Sequence, residues 1–339
     1  MILLTGGTGL VGSHLLYELT AAGKRVRALK RNGSQTDIVE KIFAWYNPQN
    51  YARQLELIEW AEGNISDIFS LKEALQGVKQ VYHCAAVVSF VPSERPQMLK
   101  INIEGTANLI NACLGAQVEK FCHCSSIAAV GRPDKGIWVD ESLIWKTSRK
   151  NSYYSISKFG AEREVWRGSE EGLNVVIVNP SVIIGPGDPN RSSARLFTTV
   201  KNGLRFYSAG ATGFVDVRDV AGAMHQLMDA EIVNERYILN SENISYKKLF
   251  EIFARHAGVK PPFFKAGRVL SEIAWRLEKI RSVVTGSNPL ITKETARSAS
   301  SRYCFSNEKI SRELAIQFRT VEESAANTAG FFQKFGDFN

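Results

Sequence analysis

The sequence predicts a doubly wound α/β fold: a parallel sheet covered by helices on both faces, followed by a smaller α/β lobe. Three observations predict it. Short apolar or β-branched runs alternate with helical patterns through the first half of the chain, as strands buried on both faces and joined by helical crossovers require. A glycine-rich turn over residues 5–12 follows the first strand pattern and opens the first helix pattern. After Pro186 the alternation weakens, and Gly185-Pro186-Gly187-Asp188-Pro189 reads as a turn cluster. The expected division is residues 1–185 for the sheet domain and 186–339 for the lobe, with some lobe segments returning to the first domain.

Taken in order, the strand patterns are Ile2–Thr5, Arg25–Leu29, Leu57–Glu62, Gln80–Cys84, Lys120–Ser125 and Asn174–Asn179. Helix patterns fall at Leu10–Ala22, Ile68–Leu75, Ile103–Leu114 and Tyr154–Glu171. In the first helix Leu15, Leu16 and Leu19 share a face, and Gly23 is the stop signal. The lobe is expected to hold a strand near Tyr237–Leu239 and helices near Tyr246–His256 and Ser271–Ile280. The last carries Arg276, Lys279 and Arg281 and reads as a packed lobe helix with a solvated basic face.

Composition narrows the class. The 339 residues are 44% hydrophobic and 22% charged, which excludes a disordered or collagen-like chain. No apolar run is long enough to span a membrane. A strand pattern starts directly after Met1 without the basic region of a leader, so a cytoplasmic location is expected. Lys and Arg number 42 against 34 Asp and Glu, a formal charge of +8. That balance permits contact with nucleic acid or anionic membrane without requiring either, and no nucleic-acid partner is expected. The five cysteines have no disulfide-scaffold spacing. Cys122-His123-Cys124 lies in a strand pattern with no second ligand pair nearby, so it reads as buried thiols and no metal site is expected.

Three places carry chemistry. In Thr5-Gly6-Gly7-Thr8-Gly9-Leu10-Val11-Gly12 the glycines permit a tight turn, and the helix start offers free N–H groups to a pyrophosphate. His14, just inside the helix, reads as structural. At the end of the second strand, where NAD-selective folds place a carboxylate, stand Lys30 and Arg31. Cations there suit a 2′-phosphate, so NADP is favoured and NAD remains possible. In Tyr154-Ser155-Ile156-Ser157-Lys158 the tyrosine and lysine share a helix face. A neighbouring ammonium is expected to lower the phenol pKa and ready it for proton exchange.

TGGTGLVGSHL, CSSIAAVG, YSISK, NPSVIIGPGD and FVDVRDVA occur in that order. Together they resemble the extended short-chain dehydrogenase/reductase family, in the branch similar to dihydroflavonol reductases and 3β-hydroxysteroid dehydrogenases. The resemblance implies a Rossmann fold with a variable C-terminal substrate lobe. It also implies a catalytic set of Ser126, Tyr154 and Lys158, with Ser125 supporting and Lys158 also holding the nicotinamide ribose. Asn64 and Ile65 would lie near the adenine, Cys84, Ala85 and Ala86 along the pyrophosphate and ribose, and Pro180, Ser181 and Ile183 beside the nicotinamide. Asn102 is expected to be structural; His83 and Asp219 fit family positions and are read as structural.

Two departures narrow the activity. Sugar dehydratases of this family carry Asp-Glu after the catalytic hydroxyl residue, where this chain has Ile127 and Ala128. Nucleotide-sugar members place an Asn where this chain has Val182, which cannot hydrogen-bond a diphosphate sugar. The expectation is hydride transfer between NADP(H) and a carbonyl or secondary alcohol on a small, fairly apolar molecule. Val87, Ser89, Phe90, Val130, Phe197 and Phe214 are the expected pocket residues. A nucleotide-sugar epimerase and a non-catalytic cofactor sensor are the alternatives. A monomer is expected, or a homodimer paired through the helices near Ile103–Leu114 and Tyr154–Glu171.

Overall fold

The computed structural model describes residues 1–336 except 134, 135, 137, 150, 192, 268–271, 273, 274, 277, 279, 280 and 282–291. The helix expected over Ser271–Ile280 therefore lies largely outside the described residues.

The strands, in chain order, are β1 (Ile2–Thr5), β2 (Val26–Lys30), β3 (Ile58–Glu62), β4 (Gln80–His83), β5 (Lys120–Cys124), β6 (Trp138–Val139), β7 (Asn174–Pro180), β8 (Val182–Ile184), β9 (Phe206–Ser208), β10 (Ala211–Asp216), β11 (Glu235–Leu239), β12 (Glu242–Ser245), β13 (Phe264–Ala266) and β14 (Cys304–Phe305). Seven of them form one sheet in the order β3-β2-β1-β4-β5-β7-β11, and every pairing is parallel. Chain connections run outward in both directions from β1, so the β1–β4 boundary is the topological switch point where such sheets bind ligands.

Helices α1 (Leu10–Ala21), α2 (Asp37–Tyr46), α3 (Tyr51–Leu55), α4 (Ile68–Ala74), α5 (Arg95–Leu99), α6 (Gly105–Gly115), α7 (Ile127–Val130), α8 (Tyr153–Glu170), α9 (Ala194–Lys201), α10 (Val217–Asp229) and α11 (Tyr246–Ala257) follow. One apolar cluster joins Leu15, Leu16 and Leu19 of α1 and Met224 and Leu227 of α10 to one sheet face. On the other face Leu71, Leu109, Ile110 and Val165 pack against Phe121 and Ile177. The sheet is thus apolar on both sides, which is why its strands read as continuous apolar runs.

One stretch differs from the sequence reading, and one lobe segment is located by the fold. Helices α2 and α3 fill a stretch without an expected element; Val39, Ile42 and Phe43 of α2 recur on one face and are buried. The strand at Tyr237–Leu239, within the stretch expected to form the lobe with some segments returning to the first domain, is part of β11, the edge of the main sheet beside β7. Its Tyr237, Ile238 and Leu239 are fully buried, and that apolar run finds its partner on the sheet rather than in the lobe. At Pro180 and Ser181 the chain leaves β7 and enters β8, which pairs with β10 in a second sheet of order β12-β10-β8. Pro180 has no N–H to continue a ladder, so it suits a strand end. Phe197, Phe214, Phe253 and Phe332 build the core of this smaller region.

Candidate active site

The turn after β1 has a shape that only glycine fits at two positions. Gly6 has φ +77°, and a Cβ there would lie 2.6 Å from the Ala85 nitrogen. A Cβ at Gly12 would lie 2.1 Å from the Gly6 carbonyl oxygen, which accepts from Gly9 N at 2.9 Å. The backbone thereby packs against the segment after β4 and leaves room above it. Gly9 then opens α1 with no side-chain cap, so the first-turn N–H groups and the positive end of the helix dipole stay available.

Beside this turn lies a cleft of about 310 Å³. Thr5, Gly6, Thr8, Gly9 and Leu10 line it from the turn, Lys30 and Arg31 from the end of β2, Asn64 and Ile65 from after β3, and Cys84, Ala85 and Ala86 from after β4. The basic cluster near β2 divides in two. Lys24 pairs with Asp229 at 2.7 Å and Arg27 with Glu59 at 2.6 Å. Lys30 and Arg31 have no carboxylate partner among the described residues, and Arg31 is exposed. Close backbone approach, an uncapped helix start and two unpaired cations fit an anionic dinucleotide.

The second half of the site is carried by α8. Ser152 caps that helix by accepting from Ser155 N at 3.0 Å. Tyr154, Lys158 and Glu162 follow at four-residue spacing and share one face. Ser126 caps the short α7 by accepting from Ala128 N at 3.1 Å, and its hydroxyl lies close enough to the Tyr154 phenol to influence it. The Phe90 ring lies 5.5 Å from the Tyr154 ring. Burial pushes the phenol pKa up to about 12, while the Ser126 hydroxyl pulls it the other way. The expected lowering by Lys158 is not what the structure has. Lys158 is buried and donates instead to the Cys124 carbonyl at 2.8 Å, at the end of β5. Burial lowers its own pKa, and Cys124 and Glu162 oppose that.

Glu162 ties these parts together. Its carboxylate accepts from Ser125 Oγ at 2.8 Å, from Asn179 Nδ2 at 2.9 Å and from an Arg236 guanidinium N–H at 3.2 Å. Asn179 also donates to the Ser126 carbonyl at 3.0 Å. One buried carboxylate therefore joins α8, the turn bearing Ser126, β7 and β11. Asn102 does comparable work on the cofactor side, donating to Val87 O at 2.9 Å and accepting from Val87 N at 2.7 Å. It also donates to Ser157 Oγ at 3.0 Å. It projects from a π-helical turn, Lys100–Glu104, just before α6, and such turns recur where a side chain must be re-aimed.

Gly7, Val11 and Gly12 shape the turn without lining the cleft; Gly7 packs on Leu16 and Leu4. Pro180, Ser181 and Ile183 lie at the β7–β8 junction outside the cleft lining, with Pro180 and Ser181 buried. Phe197, Phe214 and Val130 are core residues, 2% exposed or less, which corrects their assignment to a substrate pocket. Large apolar side chains in the lobe find a core there before they find a ligand. Val87 lines the nucleotide cleft, and Ser89 is buried with its hydroxyl accepting from Val91 N. His83 lies between the Thr5 and Thr106 hydroxyls at 2.7 and 3.0 Å, Asp219 pairs with Arg319, and His14 bonds to Leu10 O and Tyr46. Cys122 and Cys124 face one side of β5 among apolar residues, and no metal-binding cluster occurs among the described residues. Sequence reasoning missed Ser34, Ile38, Gln97, Ile101, Gly187, Asp188 and Arg191 in the cleft lining, and Glu162. Only Glu162 had a signal, its position one turn beyond Lys158.

The match to the family model named NAD dependent epimerase/dehydratase family runs over residues 2–239. The chain belongs to the NAD-dependent epimerase/dehydratase family. Members of this extended short-chain dehydrogenase/reductase group are NAD(P)-dependent reductases and epimerases acting on small molecules. A Synechocystis sp. protein with the provisional name dihydroflavonol 4-reductase is 29% identical over 340 residues, covering 98% of this chain and 94% of the other. Sterol demethylase protein B of Methylococcus capsulatus is 27% identical over 340 residues and 98% of each chain. The crystal structure of gox2253 superposes with a TM-score of 0.81 at 32% identity, covering 100% of this chain and 99% of that one. As in other epimerase/dehydratase family enzymes, the parallel sheet and its flanking helices form a Rossmann-like core. No helix among the described residues is long and apolar enough to cross a membrane.

Proposed function

We propose that this family member reduces a carbonyl on a small, fairly apolar molecule with NADPH, or runs the reverse oxidation with NADP. The observation that carries the reading is Tyr154 set close to the Ser126 hydroxyl, one helical turn from buried Lys158 and near a cleft whose Lys30 and Arg31 have no carboxylate partner among the described residues. The glycine turn and the α1 start would hold the pyrophosphate; Arg31 and Lys30 would hold a 2′-phosphate; Lys158 would hold the nicotinamide ribose. Bound there, the cofactor supplies the hydride.

The chain's own residues supply the rest. Ser126 donates to the carbonyl oxygen and polarises it. Tyr154 gives its phenolic proton to the same oxygen as charge develops, and the product is the alcohol. Burial raises the phenol pKa, so at neutral pH Tyr154 rests in the protonated form that reduction uses. Phe90 beside Tyr154 presents an apolar wall to the substrate, and Val182 supports the same reading by offering a sugar nucleotide nothing to bond.

A panel of aromatic ketones, steroid ketones, aldehydes and UDP-sugars, read as NADPH absorbance, tests this. Consumption is expected with an apolar carbonyl, and Tyr154→Phe should lower turnover about 10²–10⁴-fold with cofactor affinity retained. Saturable UDP-sugar binding with inversion at C4 would overturn the assignment in favour of an epimerase.

A further inference from the structure

An aromatic patch on the smaller region takes no part in the chemistry above. Phe206, Phe263 and Phe264 are 46%, 64% and 51% exposed. Their rings are contiguous, with Phe206 and Phe264 stacked at 5.5 Å and Phe263 and Phe264 at 4.3 Å. The backbone holds them there. β9 and β13 pair with Phe264 opposite Phe206, and the Phe263 and Phe264 N–H groups donate to the Arg205 carbonyl at 3.2 and 3.1 Å. A contiguous exposed apolar patch on a packed ribbon marks an interaction surface.

The chain around the patch is cationic. Residues 194–215 contain Arg195, Lys201 and Arg205 and no carboxylate. Residues 246–267 contain Lys247, Lys248, Arg255, Lys260 and Lys265 against Glu251 alone. Arg205, Lys248, Lys260 and Lys265 are exposed and have no carboxylate partner among the described residues. These two segments carry most of the chain's positive balance. A second copy of the chain would bring the same cations against this face, so like-charge repulsion opposes self-association through it.

We propose that the Phe206–Phe263–Phe264 patch docks the protein on the surface of an anionic lipid bilayer. Phenylalanine rings on an exposed apolar face bury into the headgroup–acyl boundary, and the flanking cations meet the negative surface potential there. Neither set suffices alone, since surface binding needs buried apolar area together with charge attraction.

Co-sedimentation of the full chain with phosphatidylcholine vesicles, with and without about a third phosphatidylglycerol, tests the proposal. Binding is expected only with phosphatidylglycerol, and it should weaken about tenfold at high salt. Phe263→Ser with Phe264→Ser, and separately Lys260→Glu with Lys265→Glu, should each weaken it about tenfold. Both double variants should keep the parent's melting temperature and NADPH affinity, which separates lost docking from lost folding. Absence of binding to the anionic vesicles, or equal binding by the parent and both folded variants, would overturn it. So would concentration-dependent dimerisation that the phenylalanine variant abolishes, which would make the patch a contact between copies.

Discussion

Two cations at the end of β2 differ from their neighbours only in what surrounds them. Lys24 and Arg27 are neutralised by Asp229 and Glu59, whereas Lys30 and Arg31 face the cleft with no carboxylate partner among the described residues. A charge-assisted hydrogen bond to phosphate contributes roughly 1.5–3 kcal/mol, equivalent to about a ten- to hundred-fold preference for NADP over NAD. Arg31→Ala should therefore weaken NADP binding at least about tenfold and leave NAD binding nearly unchanged. Because Arg31 is exposed, the preference should also shrink as salt rises. Calorimetric titrations of both cofactors check this, and equal affinities in the parent chain would refute the assignment. The position of this cationic pair was readable from the sequence. That Lys24 and Arg27 are spent on structural pairs was not, because Asp229 lies far along the chain.

At the scale of elements, α8 is held to the sheet by a buried ion pair. Glu162 is 2% exposed and engages Ser125, Asn179 and Arg236. Removing the carboxylate leaves the Ser125 hydroxyl without its acceptor and Arg236, 19% exposed and still donating to the Glu141 and Leu143 carbonyls, without its counter-charge, at a cost of about 1–3 kcal/mol. Glu162→Ala should therefore destabilise the fold by that order in denaturant titrations. Glu162→Gln, which keeps an oxygen to accept from Ser125, should cost less while still lowering turnover by loosening the Ser126 turn. A Glu162→Ala protein as stable as the parent would show that the network contributes little. The four-residue spacing of Tyr154, Lys158 and Glu162 was visible in the sequence. The partners Asn179 and Arg236 come from strands joined only by the fold.

For the whole molecule, three buried histidines contribute to the response to acid. Burial lowers the His14 pKa to about 4 and the His83 pKa to about 3, and holds His123 well below its usual value. The unfolded chain takes up these protons at its ordinary pKa of 6.5, and the folded chain does not. Stability is therefore fully present above pH 6.5 and falls as pH drops towards 4. Near pH 5 each of His14 and His83 favours unfolding by about 2 kcal/mol. Melting temperature should decline steadily from pH 7 to pH 5, and His14→Gln should flatten part of that decline. A melting temperature independent of pH over this range would contradict the assignment.

The Rossmann-like core, the glycine turn and the Tyr154–Lys158 pair were legible in the sequence because each rests on local rules. Helical spacing, strand runs and a positive-φ glycine are properties of a few neighbouring residues. Tertiary structure alone decided the rest. It carried Tyr237–Leu239 back to the main sheet, placed Phe197 and Phe214 in a core, and turned Lys158 to the Cys124 carbonyl. It also made burial outweigh charge at Tyr154. Each of these depends on which distant segments pack together, and desolvation and long-range pairing leave no trace in residue spacing.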